Sequence, residues 1–480
     1  MGKRKPLPLL EDVQFTSVGA EGNAVARVDD MVLFVPMLIP GDIADIRVRR
    51  RKKKYMEGEL VCLKQPSPDR TGAVCRHFGI CGGCKWQHMP YELQLKWKAR
   101  QVFDSLTRLG RIEMEAPPPI RGASDIYRYR NKLEYTFSSR RWLTRDEIAS
   151  GDDFSGSGAL GFHIPGYFDK VLDIEECHLQ DIVSDRIRNS LRGFALSRGI
   201  SFFDPVSHAG LLRNLIVRTA TTGEIMVVVV FRSDEEEITG EVMGFLARTF
   251  PEVTSLMYII NEKKNDSLHD REPVLYSGND HITEVIEGLR FRVGAKSFYQ
   301  TNPAQARVLY EVARDFTGLQ GEGVVYDLYC GTGTISCFVA ERASKVIGIE
   351  YIAEAVNDAR ENALMNQIEN ASFFTGDIKD LLTASFFETN GSPDVVITDP
   401  PRAGMHAGVV AAIAEAAPGV IVYVSCNPAT QARDILLLSD RYRVDAVQAV
   451  DMFPHTHHIE NVVRLVRIDA GAGKSGGIVI

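Results

Sequence analysis

Short runs of alternating apolar and polar residues open the chain and predict a small β-barrel. Strand-like runs cover residues 13–15, 24–28, 31–35 and 42–48, and glycine turns separate several of them. Alternation with period two is typical of strands that bury one face. We therefore predict an OB-like barrel domain over residues 1–66, a fold that often binds oligonucleotides on one face.

A different pattern, strand then glycine-rich turn then helix, repeats in the last part of the chain. Five apolar runs each end in polar or glycine-rich turns, at residues 324–327, 344–350, 371–374, 395–398 and 420–424. Such alternation is typical of doubly wound α/β domains with a parallel sheet. The pattern predicts a Rossmann-like domain over residues 291–480.

The stretch between these two domains mixes helical and strand-like patterns. A Pro-Ser-Pro linker precedes it, and its main runs are a helical one at 91–109, strands at 133–137, 225–231 and 256–260, and a helix near 179–197. We predict an α+β central domain over residues 67–290, so that the whole chain is a multi-domain α/β protein.

The chain is acidic overall, but two of its segments are strongly basic. The net charge of −8 excludes a general affinity for nucleic acid. Seven of the eight residues 47–54 are nevertheless basic, and basic and aromatic residues alternate over 127–141. We expect both segments to contact nucleic-acid phosphates. The alternative is a solvated loop without a partner, which is what blocks of like charge often are.

The apolar segments are too short for a membrane protein. The basic start of the chain is not followed by an apolar segment, and no apolar run approaches the roughly 20 residues that span a bilayer. We therefore expect a cytoplasmic protein without a signal peptide or a membrane partner. In that compartment its 8 cysteines should be reduced or metal-bound.

One group of cysteines has the spacing of a metal site. Cys75, Cys81 and Cys84 are surrounded by glycines that allow the chain to wrap tightly, and Cys177 is the best candidate for a fourth ligand. Four thiolates suit either zinc or an iron–sulfur cluster, and the spacing does not separate the two. Of the other cysteines, Cys62 and Cys337 are expected to be buried in apolar surroundings and Cys330 to lie in a turn.

The turns of the last domain carry residues suited to a nucleotide-type ligand. Gly331 and Gly333 follow the first strand and let the backbone approach a ligand at a helix N-terminus. Glu350 ends the second strand, where a carboxylate can hold two ribose hydroxyls, and Asp377 follows the third. A nicotinamide enzyme is the rival, but Ser336 stands where its third glycine is expected.

The same edge carries a possible nucleophile. Cys426 follows the fifth apolar run, Asp399 begins an Asp-Pro-Pro-Arg motif after the fourth, and Glu460 lies further on. A thiolate, a general base and a group that holds a ring edge are what covalent methylation of a pyrimidine requires. A metal site built on Glu460 and the three histidines before it, and a buried structural Cys426, are the alternatives.

Taken together, these motifs resemble the RNA uracil-5-methyltransferase family. The barrel resembles a TRAM domain, the tetrapeptide at 129–132 resembles the central-domain motif, and residues 298–302 resemble the segment that opens the catalytic domain. The resemblance covers nearly the whole chain. It implies a class I S-adenosylmethionine-dependent enzyme that methylates C5 of a uridine in structured RNA, acting as a monomer.

The resemblance also assigns roles to individual residues. It implies that Cys426 is the nucleophile and Glu460 the base that removes the C5 proton. The residues it implies for the S-adenosylmethionine and uracil site are Gln300, Tyr329, Glu350, Asp377 and Asp399. It further implies a [4Fe–4S] cluster on Cys75, Cys81, Cys84 and Cys177, and packing of residues 93–119 on the catalytic domain. Thr334 stands where some members carry Asn.

Several alternatives remain open at this point. A TRAM barrel together with four cysteines favours 23S ribosomal RNA as the substrate, with transfer RNA as the alternative. An RNA cytosine-5-methyltransferase is less favoured, because those enzymes place a cysteine after a proline at the fourth strand, where this chain has Asp399-Pro400-Pro401-Arg402. An RNA-binding factor without catalytic activity is the remaining possibility.

Overall fold

The computed structural model describes residues 7–154 and 156–468. Its first domain is a six-stranded barrel in which the strands are ordered β1-β5-β6-β4-β3-β2. The strands are β1 (Leu9–Gln14), β2 (Ser17–Val18), β3 (Ala24–Val28), β4 (Met31–Val35), β5 (Ile43–Arg51) and β6 (Tyr55–Gln65).

Alternating side chains of these strands fill the barrel. Phe15, Leu33 and Ile46 are fully buried in its core. The basic run lies at the end of β5 and in the turn to β6, where Arg49 forms an ion pair with Glu59 at the surface. The expectation that Cys62 is buried is wrong: the second half of β6 extends past the barrel core, and the Cys62 side chain is exposed.

The central domain is built on a second sheet, ordered β15-β14-β13-β12-β8-β10-β11-β9, with the hairpin β16-β17 beside it. The strands are β8 (Lys132–Ser138), β9 (Arg141–Trp142), β10 (Ala159–His163), β11 (Val171–Asp173), β12 (Leu212–Thr219), β13 (Ile225–Phe231), β14 (Ser255–Ile260), β15 (Val274–Gly278), β16 (His281–Ile286) and β17 (Leu289–Gly294). Its helices are α2 (Arg145–Ser150), α3 (Ile182–Ser197) and α4 (Glu236–Thr249).

The third domain contains an eight-stranded sheet ordered β20-β19-β18-β21-β22-β24-β23-β7. The strands are β7 (Ile120–Arg121), β18 (Val324–Leu328), β19 (Lys345–Glu350), β20 (Ala371–Thr375), β21 (Val395–Thr398), β22 (Val420–Ser425), β23 (Tyr442–Val450) and β24 (Glu460–Arg467). The helices are α5 (Pro303–Thr317), α6 (Thr334–Val339), α7 (Ala353–Met365), α8 (Ile378–Leu381), α9 (Ala384–Asn390), α10 (Ala407–Ala416) and α11 (Pro428–Leu438).

Strands β18 to β22 run parallel, as the pattern of apolar runs predicts, and β24 inserts antiparallel between β22 and β23. This is the doubly wound arrangement predicted for the third domain, with one antiparallel strand inserted. The carboxyl ends of the parallel strands therefore meet at one edge, which is where ligands bind in open α/β sheets.

An early helix, α1 (Tyr91–Arg108), packs on this third domain although the central sheet follows it in sequence. Val102 and Leu106 of α1 lie in the same hydrophobic core as α10 and α11. Lys98 forms a fully buried ion pair with Asp451, with 2.6 Å between Nζ and Oδ1. Strand β7 then pairs with β23, so the segment from α1 to β7 is part of the catalytic domain's packing.

Candidate active site

The carboxyl edge of the third sheet opens into a cavity of about 2070 Å³ that extends to the central domain. The residues predicted for the site and found in its lining are Cys75, Cys81, Cys84, Cys177, Gln300, Tyr329, Glu350, Asp399, Cys426 and Glu460. Asp377 is not among the lining residues: it caps α8, and its carboxylate accepts hydrogen bonds from Lys379.

The loop after β18 shapes one end of this cavity. Gly331 donates its backbone N–H to Glu350 Oε2 at 3.2 Å, and Ile352 donates to the other oxygen at 3.0 Å. Gly333 has a left-handed φ of +76°, and a Cβ there would lie 2.8 Å from the Cβ of Ala359. The sequence therefore needs glycine at 333 to bring this loop close to α7.

Ser336 explains why the third glycine of a dinucleotide fingerprint is missing. Its hydroxyl donates a 2.6 Å hydrogen bond to Asp327 Oδ2, which ties α6 to the end of β18. Burial raises the pKa of Asp327 to about 7, partly offset by the bonds from Ser336. The side chain is thus used inside the protein, and the loop does not have the form of a nicotinamide site.

The antiparallel insertion of β24 brings Cys426 and Glu460, the predicted nucleophile and base, to the same edge. Ser425 at the end of β22 pairs with Asn461 in β24. Cys426, which follows Ser425, and Glu460, which precedes Asn461, therefore lie at the same end of the two neighbouring strands. Asp399 directly follows β21, the strand on the other side of β22.

These groups share an acidic and poorly solvated environment. Burial raises the pKa of Asp399 to about 7, and the nearby Asp327 carboxylate adds to the shift. Burial also raises the pKa of Glu460 well above its usual range, with a further contribution from Asp399. The pKa of the Cys426 thiol rises to about 11 because of burial and the charges of Glu460 and Asp399. Without ligands, the site therefore favours the thiol over the thiolate.

Arg402 is the cation that counteracts these effects. Its guanidinium lowers the pKa of both Cys426 and Glu460, and it lines the cavity. Its backbone carbonyl accepts hydrogen bonds from Asn427 and Thr430, which follow Cys426. The sequence contains Arg402 within the Asp-Pro-Pro-Arg motif, but its role appears only when the loops after β21 and β22 are seen together.

The four cysteines predicted as ligands line the opposite part of the cavity. All four are partly buried free thiols. Burial raises the pKa of Cys81 to about 11 and that of Cys84 to about 12, and each of these thiols is also affected by Cys75 and Cys177. Within the ranges that the structure describes, no group of three or more His, Cys, Asp or Glu residues is arranged to hold a metal ion.

Comparison with known proteins places the chain in a family. The family model tRNA (Uracil-5-)-methyltransferase matches residues 275–468, and the TRAM domain model matches residues 11–61. An uncharacterized RNA methyltransferase of Bacteroides thetaiotaomicron is 54% identical over 451 residues, 93% of this chain and 99% of the relative. One of Porphyromonas gingivalis is 55% identical over 462 residues, with 95% and 99% covered. The chain belongs to the tRNA (uracil-5-)-methyltransferase family.

A solved structure supports the same fold. The tRNA (uracil-54, C5)-methyltransferase of Pyrococcus abyssi, in complex with S-adenosyl-L-homocysteine, superimposes with a TM-score of 0.73 at 28% identity. The match covers 95% of this chain and 100% of that one. The chain is therefore an S-adenosylmethionine-dependent RNA methyltransferase of this family, with a TRAM domain and a class I catalytic fold. The nicotinamide alternative is wrong.

Over the described part of this family member, no helix is long and apolar enough to cross a membrane.

Proposed function

We propose that this enzyme methylates C5 of a uridine in structured RNA through covalent addition of Cys426 to C6 of the base. The observation that carries the proposal is the placement of a thiol, a buried carboxyl and a second carboxyl at one cavity edge. They are Cys426, Glu460 and Asp399, and Cys426 has Arg402 beside it. We also propose the role of each of these residues in the reaction.

The first step forms a carbon–sulfur bond. The Cys426 thiol gives its proton to solvent, and the thiolate adds to C6 while the electrons of the C5–C6 double bond move to give an enolate. Asp399, with a pKa of about 7, is partly protonated near neutral pH and so is able to donate to a ring carbonyl or accept from N3–H. Its position after β21 suits it to hold the ring edge.

The second step transfers the methyl group, and the third releases the product. C5 takes the methyl group from the sulfonium of S-adenosylmethionine, which leaves as S-adenosylhomocysteine. The Glu460 carboxylate then accepts the C5 proton, the double bond re-forms, and the bond between C6 and Sγ breaks. Glu460 must be ionised for this step, which the cation Arg402 favours.

Residues of the glycine-rich loop and its neighbours are proposed to hold S-adenosylmethionine. Glu350 is suited to the ribose hydroxyls, and Tyr329 and Gln300 line the same cavity. Asp377, which does not line the cavity, is proposed as a further residue of this site from its place after β20. A cationic sulfonium in this acidic cavity lowers the pKa of neighbouring acids. Binding of the methyl donor therefore favours the Cys426 thiolate.

We also propose that Cys75, Cys81, Cys84 and Cys177 hold a [4Fe–4S] cluster. The support is that all four are partly buried thiols lining the same cavity, although the described residues contain no group already arranged to hold a metal ion. Bound iron would supply the positive charge that stabilises thiolates there. No step of the methyl transfer uses it. Iron and sulfide analysis after anaerobic purification tests the assignment, and near-stoichiometric zinc without iron rejects it.

The RNA substrate is proposed from the TRAM domain together with the four cysteines. We favour ribosomal RNA, with transfer RNA as the alternative, and expect the basic segments at 47–54 and 127–141 to contact phosphates. We propose that the enzyme acts in the cytoplasm as a monomer with domains at 1–66, 67–290 and 291–480. Comparing RNA from cells with and without this protein identifies the modified nucleotide.

Analysis of the methylated nucleoside tests the reaction itself. Purified enzyme is incubated with labelled S-adenosylmethionine and RNA from cells that lack the protein, and the RNA is digested to nucleosides. We expect label in 5-methyluridine. Label in 5-methylcytidine would replace this proposal by a cytosine-5-methyltransferase, and RNA binding without transfer would indicate a non-catalytic factor.

A further inference from the structure

The loop between β23 and β24, residues 451–459, leads directly to Glu460, and we call it the base loop. His455 lies in its middle, is only 3% exposed, and has a left-handed φ of +65°. A side chain with a Cβ is disfavoured in that conformation, so surrounding contacts must hold it there. Such strain is common near functional residues.

Backbone groups that follow the cysteine cluster hold one side of His455. Its carbonyl oxygen accepts hydrogen bonds from the N–H groups of Lys85 at 2.9 Å and Trp86 at 3.0 Å. These are the first two residues after Cys84. The His455 ring also stacks on Tyr127, with 4.3 Å between ring centroids.

A single side chain of α1 holds the other side. Gln94 Oε1 accepts a 2.8 Å hydrogen bond from the His455 backbone N–H, and Gln94 Nε2 lies 3.2 Å from His455 Nδ1. The same nitrogen donates to the carbonyl oxygens of Trp86 at 3.1 Å and Met89 at 2.9 Å. Gln94 is fully buried and thus links α1, the segment after the cysteines and the base loop.

Neighbouring residues of the base loop are fixed from the same two directions. Lys98 of α1 donates to the Phe453 carbonyl at 3.0 Å, and Tyr129 donates to the Pro454 carbonyl at 3.0 Å. Three consecutive carbonyls, at 453, 454 and 455, therefore each have a donor from outside the loop. Five residues after His455 the chain enters β24 at Glu460, which pairs with Val450 of β23.

We propose that Gln94, together with the Lys85 and Trp86 amides, positions Glu460 for removal of the C5 proton. This inference rests on the proposed function, because it assigns Glu460 to that step. Gln94 is not among the residues that line the cavity, and we assign it as a positioning residue. The proposal also gives the residues that follow Cys84 a role in a redox-neutral reaction, because their amides hold the base loop, which leads to Glu460.

Loss of these hydrogen bonds to the base loop should slow one chemical step, the removal of the C5 proton. Addition of Cys426 and methyl transfer precede the step that needs Glu460. If Glu460 is misplaced, the methylated base stays bonded to the Cys426 sulfur. A displacement of about 1 Å at a reacting group is able to slow a step by about a hundredfold. We therefore expect a methylated covalent RNA–protein complex to accumulate on ordinary uridine.

The test compares Gln94→Leu with Asn261→Leu. Asn261 is also fully buried. Its side chain accepts a hydrogen bond from the Lys263 backbone N–H and donates one to the Asn265 carbonyl, but it does not contact the base loop. With full-length protein, unmodified RNA and labelled S-adenosylmethionine, Gln94→Leu should accumulate a labelled complex that survives denaturation. Its turnover should fall by about ten- to a hundredfold at an unchanged KM for RNA. Asn261→Leu should accumulate no such complex.

A second pair keeps the proposal testable if Gln94→Leu does not fold. His455→Gly and His455→Ala both lose the ring and differ in one methyl group, and only alanine is strained at a φ of +65°. We expect turnover by His455→Ala to be about tenfold slower than by His455→Gly, with more trapped complex. Equal turnover would overturn the proposed role of the left-handed conformation.

Glu460→Gln separates failure of this inference from failure of the proposed function. If Glu460→Gln accumulates the methylated complex and Gln94→Leu loses complex and product in parallel, Gln94 only stabilises the fold. If Glu460→Gln turns over at the wild-type rate, Glu460 is not the base and the proposed function itself fails.

Discussion

Neighbouring charges of both signs act on the pKa of the Cys426 thiol, so removing a cation and removing an acid should shift that pKa in opposite directions. Arg402 lowers the pKa of the Cys426 thiol, whereas burial, Glu460 and Asp399 raise it, to about 11 in total from the ordinary value of 9.0. Replacing Arg402 by Met should therefore raise the thiol pKa further. Replacing Glu460 by Gln should lower it.

The size of the effect follows from the thiolate fraction. At pH 8 a thiol with a pKa of about 11 is roughly one thousandth ionised, whereas a thiol with the ordinary pKa of 9.0 is roughly one tenth ionised. Alkylation of Cys426 in the ligand-free enzyme should thus be about a hundredfold slower than that of an ordinary thiol. A nearby cation typically changes an acid's pKa by about 1 to 3 units, so Arg402→Met should slow alkylation at least about tenfold more.

The assay is iodoacetamide labelling between pH 7 and 11, followed by peptide mass spectrometry. Cys62 is exposed on β6, so its labelling reports on reagent in the same sample. Alkylation of Cys426 should rise with pH up to about 11. Shifts of the same sign for Arg402→Met and Glu460→Gln, or a Cys426 that labels fully at pH 7, would refute this electrostatic reasoning.

Three further predictions concern stability, the methyl donor and RNA. Lys98→Met leaves the Asp451 carboxylate buried without its cation, so it should lower the free energy of unfolding in urea by about 3–5 kcal/mol. The control Arg108→Met breaks an exposed ion pair on the same helix and should lower this free energy by less than about 1 kcal/mol. Gly333→Ala should weaken S-adenosylmethionine binding, measured by calorimetry, at least about tenfold, because the new Cβ would clash with Ala359. Gly223→Ala, whose Cβ would have open space around it, should leave S-adenosylmethionine binding unchanged. Replacing residues 49–54 by serine should weaken RNA binding and flatten its salt dependence, and an unchanged slope would indicate a solvated loop.

The regular elements could be predicted because their signals are local. Period-two alternation locates most strands of the barrel, and apolar runs that end in glycine-rich turns locate the five parallel strands. The family and the methyl donor were predicted from motifs at the ends of those strands. The same local signal misled at Cys62, because alternation along β6 does not reveal where the strand leaves the barrel core.

The site depends on contacts between distant segments, which local patterns do not contain. Glu460 meets Cys426 only because β24 inserts antiparallel beside β22. Arg402 acts on Cys426 across two loops. Gln94 and His455 are 361 positions apart in sequence, and neither stands in a motif that indicates their contact. The Asp377 carboxylate accepts hydrogen bonds from Lys379, a contact that the strand pattern does not contain, and its place in the ligand site stays a prediction.

The central claim is that Cys426 bonds to C6 of a uridine that is then methylated at C5. It is tested most directly by incubating the enzyme with S-adenosylmethionine and RNA that contains 5-fluorouridine, since fluorine at C5 cannot leave as a proton. We predict a stable complex whose mass exceeds protein plus RNA by one methylene, with the nucleotide mapped to Cys426, and no complex for Cys426→Ala. An RNA that binds but is not trapped, or a nucleotide mapped to another cysteine, would contradict it.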